Sequence, residues 1–359
     1  MDVPPAKQYS FVFHFGGGMR DMQSTATLGQ SRIRSLLFGS LTVILTLVIS
    51  AAAAEAILRL KNASMRNYDI EMWRYGRELK VASELAALGH EHIPDAKATL
   101  QSVEIRINAW GLRGGPVNES PAPDRRRVLV LGSSIALGWG VPEEKVVSSL
   151  LQAKFEAAGQ NVEVLNAGIG NYNAERYIER FLHRLTPLRP TDLLIMAFVR
   201  DGEPLEQGGG NLLLRNSQLA VTAWTVVNRM FGSFGADNLV EHYRRIYAPD
   251  STAVTEMNAE FAKLAAYTRQ HRIRVTLAMV PDIHNLDQYP LQFVHDIFST
   301  TGRNNGFAYV DLLPALKGLA PSEIWAMPGD PHPNARGHAL MADAIYPILA
   351  SQTPPSGGL

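Results

Sequence analysis

Val128-Leu129-Val130-Leu131-Gly132-Ser133-Ser134-Ile135-Ala136-Leu137-Gly138-Trp139-Gly140 is the stretch whose reading decides the fold. Four apolar residues in succession, Val128 to Leu131, predict a strand buried on both faces, and the Gly-Ser-Ser that follows turns the chain into a short helical pattern. Gly132 and Gly138 relax the backbone on either side of that turn. Ser134 is thereby placed at a helix N-terminus, where backbone N–H groups favour a developing oxyanion. On its own, the position suits an N-capping serine as well as a nucleophile.

The far end of the chain separates the two readings. Asp330-Pro331-His332-Pro333-Asn334-Ala335-Arg336-Gly337-His338 supplies a carboxylate and an imidazole in a loop ahead of another helix. A serine hydroxyl attacks an ester poorly unless a base takes its proton, and the base needs a partner that fixes its tautomer and stabilises the imidazolium. Ser134, His332 and Asp330 are therefore the candidate nucleophile, base and orienting acid of an acyl transfer. His338 lies on a helix with Met341, Ala344, Ile345 and Ile348 at helical spacing, which predicts a packing role.

Around the opening stretch, apolar runs alternate with helical patterns. The runs are Val128 to Leu131, Val162 to Leu165, Leu193 to Phe198, Val275 to Val280 and Phe307 to Val310. Helical patterns occupy Glu143 to Ala158, Ala174 to Leu185, Thr255 to His271 and Ala335 to Leu349. Such alternation predicts an α/β fold: a three-layer α/β/α sandwich with a parallel sheet of about five strands, its site in the loops at the strand C-terminal ends. Ser134 and the Asp330–His332 loop both map to that edge.

These blocks, in this order, resemble the SGNH, or GDSL-like, hydrolase superfamily across roughly Asn108 to Leu349. Gly132-Ser133-Ser134 resembles the family's Gly-Asp-Ser block, with Ser133 where the aspartate stands, and this implies Ser134 as nucleophile. Val164-Leu165-Asn166-Ala167-Gly168-Ile169-Gly170-Asn171-Tyr172-Asn173 resembles the second block, whose turn contributes an oxyanion-hole N–H. An ungapped comparison puts that donor at Asn171 and a one-residue shift puts it at Gly170. The third block, Gly-x-Asn-Asp in the family, corresponds to Phe198-Val199-Arg200-Asp201, so Arg200 replaces the asparagine. A guanidinium donates with full charge but differs in length and geometry from a short amide. Ile107-Asn108-Ala109-Trp110-Gly111-Leu112-Arg113-Gly114 resembles the segment preceding the first block in membrane-anchored, extracytoplasmic members, some of which O-acetylate polysaccharides. A hairpin packed on the domain edge is the expectation for Trp110 and Arg113.

Ser35 through Ala54 contains no charge and is long enough to cross a hydrocarbon core of about 30 Å at about 1.5 Å per residue. We read it as one N-terminal transmembrane signal-anchor helix; a cleaved signal peptide ending in the alanine run and a buried core helix are the alternatives. Arginines and lysines flank both sides, so charge does not orient it. The family resemblance implies a catalytic domain outside the cytoplasm, periplasmic or at the cell surface. The layout read from the sequence is a tail over 1–34, the anchor over 35–58 and a stalk or linker over 59–105 with a helix from Ile70 to Leu88. The catalytic domain follows over 106–350, with an insertion at 202–250 that begins at Gly208-Gly209-Gly210, and a tail over 351–359 closes the chain. Arg125-Arg126-Arg127 is expected on a solvated rim.

With 359 residues, 46% of them hydrophobic, and 34 basic against 34 acidic side chains, the chain can bury a large core and lacks a nucleic-acid signature. Zero cysteines exclude disulfides and thiolate-held metals. His332 and His338 lack a His-Glu-x-x-His frame, and Gly168-Ile169-Gly170 lacks a third glycine, so neither a metal nor a dinucleotide cofactor is expected. His284, after a strand, is expected to be a loop histidine without a catalytic task. The functional expectation is a serine esterase acting on an acylated glycan or lipid ester. The alternatives are a polysaccharide O-acetyltransferase using the same three residues and a non-catalytic binding or assembly component that retains the fold.

Overall fold

The computed structural model describes residues 19–64, 67–205, 212–231, 236–327 and 330–351. The outermost parts of the two expected tails, and Gly208–Gly210 of the insertion, lie outside the described residues. The chain divides into two units, Met1–Ala63 and Ser64–Leu359. The first contains most of helix α1, Met19–Ser64. Its stretch Arg34–Ala63 has a mean hydropathy of 2.3 in its most apolar window and is long and apolar enough to cross a membrane or to serve as a signal sequence.

The second unit begins with α2 (Tyr68–Glu78) and two antiparallel pairs, β1 (Lys80–Ala82) with β2 (His90–His92) and β3 (Lys97–Leu100) with β4 (Val103–Arg106). The main domain continues with β5 (Arg126–Gly132), α3 (Ser134–Leu137), α4 (Val147–Ala157), β6 (Val162–Asn166), α5 (Ala174–Arg180) and β7 (Asp192–Phe198). Then come α6 (Leu212–Asn216), α7 (Gln218–Phe231), α8 (Ala236–Ile246), α9 (Thr252–Gln270), β8 (Arg274–Val280), α10 (Gln292–Asn305) and β9 (Ala308–Asp311). The chain closes with α11 (Leu313–Leu316), α12 (Pro321–Ile324), the antiparallel pair β10 (Trp325–Met327) and β11 (Asp330–Pro333), and α13 (Ala335–Ser351).

Five strands form one parallel sheet in the order β6-β5-β7-β8-β9. Because successive side chains of a strand point to opposite faces, each central strand feeds two cores. Leu129 and Leu131 of β5, with Leu193 and Ile195 of β7, pack on one side against Ile178, Phe261 and Phe298. Val128 and Val130, with Leu194 and Met196, pack on the other against Leu151, Phe155 and Ile345. Each such fully buried aliphatic side chain contributes about 1.5–3 kcal/mol. The chain leaves β5 for β6 on one side and returns to β7 on the other, so the C-terminal end of β5 is the topological switch point, where open α/β sheets place their ligands. Ser134 follows directly.

Two expectations need correction. The helix expected over Ile70–Leu88 ends at Glu78, after which β1 pairs with β2 across a turn closed by Gly89, whose φ is +66°. Leu79 and Leu88, whose spacing suggested a longer helix, are both fully buried. The arginine triplet is not a solvated rim: Arg126 and Arg127 are buried. Arg126 forms a two-pronged ion pair with Asp192, 2.8 Å for each bond, and Arg127 pairs with Glu163 at 2.6 Å while donating to the Leu188 and Glu119 carbonyls. Burial of these charges is sustained by the number and geometry of their partners.

Candidate active site

Ser134 is the first residue of α3, a helix of only four residues. Ser133 is its N-cap, and the Ser133 side chain makes no capping bond. The Ser134 hydroxyl also does not cap the helix. It lies 2.8 Å from His332 Nε2, to which it is placed to donate. His332 Nδ1 lies 2.5 Å from Asp330 Oδ1, and the same oxygen accepts the His332 backbone N–H at 3.1 Å. Donation to the carboxylate leaves the lone pair on Nε2, the tautomer that a general base facing Ser134 requires. Asp330 is wholly buried. Burial alone would raise its carboxyl, but the hydrogen bonds and charge of His332, with a further bond from Gln101, hold it below the usual aspartate value.

Helix α3 is fastened at its C-terminal end. The buried Arg113 guanidinium donates to the carbonyls of Leu137, Gly138 and Val141, each at 2.7 Å, and Asn166 Nδ2 donates to the Ala136 carbonyl at 2.9 Å. These groups satisfy carbonyls that so short a helix cannot pair internally. Gly138 has φ +81°, and a Cβ there would lie 2.2 Å from Val146 Cγ1, so this turn requires glycine. Arg113 does sit on the expected hairpin at the domain edge, its backbone bridging Ile107 and Asn166 of the edge strand β6, but its side chain turns inward as a clamp on α3. The sequence signal for it was absent, since its partners lie 24 to 28 residues away.

The two alternatives for the second oxyanion donor differ in position. The Gly170 N–H donates to the Tyr75 hydroxyl at 2.9 Å, and its carbonyl faces Lys80 Nζ at 2.6 Å, so this peptide turns toward the α2–β1 region. Asn171, with φ +64°, lines the cavity that holds Ser134 and His332. Arg200 lines it too, with Nε 3.1 Å from Glu203 Oε2. The cavity, about 400 Å³, gathers apolar and aromatic walls from Tyr68, Met72, Phe198 and Leu239 and a polar side from Glu203, His242, Asp282 and His284. Leu239, His242 and Tyr243 show that the 202–250 insertion walls the site. Tyr68 sits with its ring 6.1 Å from that of His332, and burial, reinforced by Asp330, pushes its phenol up to about 12, keeping it protonated.

Two other sequence readings find their places here. His338 is buried and accepts the Val147 N–H at 3.2 Å, a packing role. His284 lines the cavity with Nδ1 2.7 Å from Asp282 Oδ1. Among the described residues, no group of three or more His, Asp or Glu side chains is arranged to hold a metal ion.

The model of the GDSL-like Lipase/Acylhydrolase family matches residues 130–340, from the middle of β5 into α13. The chain belongs to this family. This acylhydrolase is an ester-hydrolysing enzyme, which removes the non-catalytic alternative, and its five-stranded parallel sheet is that of the SGNH fold. Among solved structures it is similar to TesA at 17% identity, covering 62% of this chain and 98% of that one with a TM-score of 0.43. It is similar to the psychrotrophic esterase EstA from Pseudoalteromonas sp. at 16% identity, covering 63% and 97%, TM-score 0.41. A catalytic mutant of Axe2, an acetylxylan esterase from Geobacillus stearothermophilus, matches at 15% identity, covering 63% and 95%, TM-score 0.43. No curated protein matches the acylhydrolase.

Proposed function

We propose that this acylhydrolase is a serine esterase acting on an acylated glycan or lipid ester through Ser134, His332 and Asp330. The observation that carries the reading is the unbroken hydrogen-bonded line from Ser134 Oγ through both ring nitrogens of His332 to the buried Asp330. Ser134 Oγ bonds to the acyl carbon as its proton passes to His332 Nε2. Collapse of the tetrahedral intermediate expels the alcohol, which takes that proton and leaves acyl-Ser134. Water then attacks by the same route and releases the carboxylic acid. The N–H groups of Ser134 and Asn171 hold the oxyanion, since the Gly170 N–H is engaged by Tyr75, and Arg200 supplies a third, charged donor.

The apolar and aromatic walls suit an acyl chain or the face of a sugar ring, and the polar side suits hydroxyl groups. That polar side also favours a second reading, in which a sugar hydroxyl replaces water as the acceptor and the enzyme is a polysaccharide O-acetyltransferase. The chain is anchored through α1 with residues 64–359 outside the cytoplasm. Kinetics on acetylated oligosaccharides, short-chain esters and long-chain lipid esters, with oligosaccharide acceptors added in competition with water, test the substrate and separate hydrolysis from transfer. Equal hydrolysis by the Ser134→Ala variant would refute the mechanism. A C-terminal reporter active only in the cytoplasm would refute the orientation.

A further inference from the structure

The β3–β4 hairpin closes on two residues, Gln101 and Ser102, between the paired Leu100 and Val103. Both have positive φ, 49° and 63°, the combination that a two-residue hairpin turn normally fills with Asn-Gly. Neither residue favours this conformation, and backbone held in an unfavourable region persists only where its surroundings fix it. Gln101 is buried and fixed at both ends. Its backbone N–H donates to Oε2 of the buried Glu71 of α2 at 2.9 Å, and its Nε2 donates to Asp330 Oδ2 at 2.9 Å. A carboxylate only accepts, so the amide nitrogen must be the atom that faces it. Gly140 makes room for the amide: a Cβ there would lie 2.5 Å from Gln101 Oε1.

Asp330 therefore receives three donors divided by oxygen. Oδ1 takes the His332 backbone and ring N–H groups, and Oδ2 takes Gln101. With Oδ1 alone engaged, the carboxylate could pivot about its Cβ–Cγ bond and carry the imidazole with it; Gln101 closes that freedom. We propose that Gln101 is a positioning residue of the triad, and that the hairpin tip, braced by Glu71 and accommodated by Gly140, sets the plane of the Asp330 carboxylate and with it the aim of His332 at Ser134. The region ahead of the sheet, read from sequence as a stalk, is then part of the catalytic apparatus. The proposal rests on the Ser134–His332–Asp330 reading.

The test compares Gln101→Met, which keeps the side chain's length and removes the donor, with Ser134→Ala, both in the full chain with p-nitrophenyl acetate. Gln101→Met is expected to lower kcat by about 10- to 100-fold, the range set by small misplacements of catalytic groups, with KM changed less than about twofold. The acid limb of kcat/KM is expected to move upward, because a carboxylate that has lost a donor holds the imidazolium proton more firmly. A Gln101→Met enzyme with wild-type kcat overturns the proposal. So does one whose loss is matched by a loss of folded protein, with an unshifted acid limb, since that is a purely structural role. In both cases an inactive Ser134→Ala leaves the triad reading standing, whereas an active Ser134→Ala refutes the triad and the proposal together.

Discussion

Asp330–His332 and Asp282–His284 are built alike. In each, one carboxylate oxygen accepts both the backbone N–H of the histidine two residues on and its Nδ1, at 3.1 and 2.5 Å in the first and at 3.0 and 2.7 Å in the second. Asp282–His284 follows β8 of the parallel sheet and Asp330–His332 lies in β11, yet both imidazoles line the same cavity. They differ in what lies beyond the pair. His332 meets Ser134, its side chain is 13% exposed, and Asp330 is wholly buried with Gln101 on its other oxygen. His284 is 49% exposed, stacks edge-on against Trp325, and no side-chain amide among the described residues meets Asp282. An Asp-x-His turn is thus a local motif that orients a ring; in the proposed mechanism, a facing serine hydroxyl and a buried, doubly held carboxylate make it a catalytic base.

Substitutions that break this contrast rank accordingly. Ser134→Ala is expected to lower kcat on any ester by about 10⁶-fold, the scale of losing a whole triad, read in steady-state assays. Asp330→Asn is expected to cost about 10⁴-fold by fixing the wrong tautomer. Arg113→Met removes the guanidinium that the Leu137, Gly138 and Val141 carbonyls share and is expected to destabilise the domain by about 3 kcal/mol, measured by chemical denaturation. His284→Ala is expected to cost less than about tenfold on small esters, roughly 1.4 kcal/mol or less; a loss matching that of His332→Ala would erase the distinction between the dyads.

His284 and Asp330 make pH-dependent contributions of opposite sign. The Asp282 hydrogen bond holds the His284 imidazole above its usual 6.5. Its folded pKa exceeds the unfolded one, so the stability it lends is present below about 6.5 and is lost as pH rises through the folded value. Asp330 is held below 3.8 despite burial, so its contribution is present above that value and is lost as pH falls through the folded pKa. NMR titration of the His284 ring should give a midpoint above 6.5 that returns toward 6.5 in Asp282→Asn; an unchanged midpoint would contradict the assigned cause.

The five sheet strands were legible in the sequence to within about two residues, because strands buried on both faces read as unbroken apolar runs. The residues of the proposed triad carry local signals in the blocks around Ser134 and His332, and the fold brings their side chains within hydrogen-bond distance. Gln101 was not: its partner lies 229 residues away, and nothing local marks a glutamine at a hairpin tip as catalytic support. The same holds for Arg126, paired with Asp192 across 66 residues, and for the end of α2, where pairing of β1 with β2 outweighs a helical spacing of leucines. The sequence leaves Gly170 and Asn171 open as the proposed second oxyanion donor, and the contact that favours Asn171 in that proposal, Tyr75 on the Gly170 N–H, exists only in the packed fold.

The most direct test is intact-mass and peptide mapping of the full chain after treatment with a fluorophosphonate probe. One adduct per chain, on Ser134, lost in Ser134→Ala and retained in His284→Ala, is the predicted result. Absence of any adduct on folded protein, or an adduct that survives Ser134→Ala, would contradict Ser134 as the nucleophile.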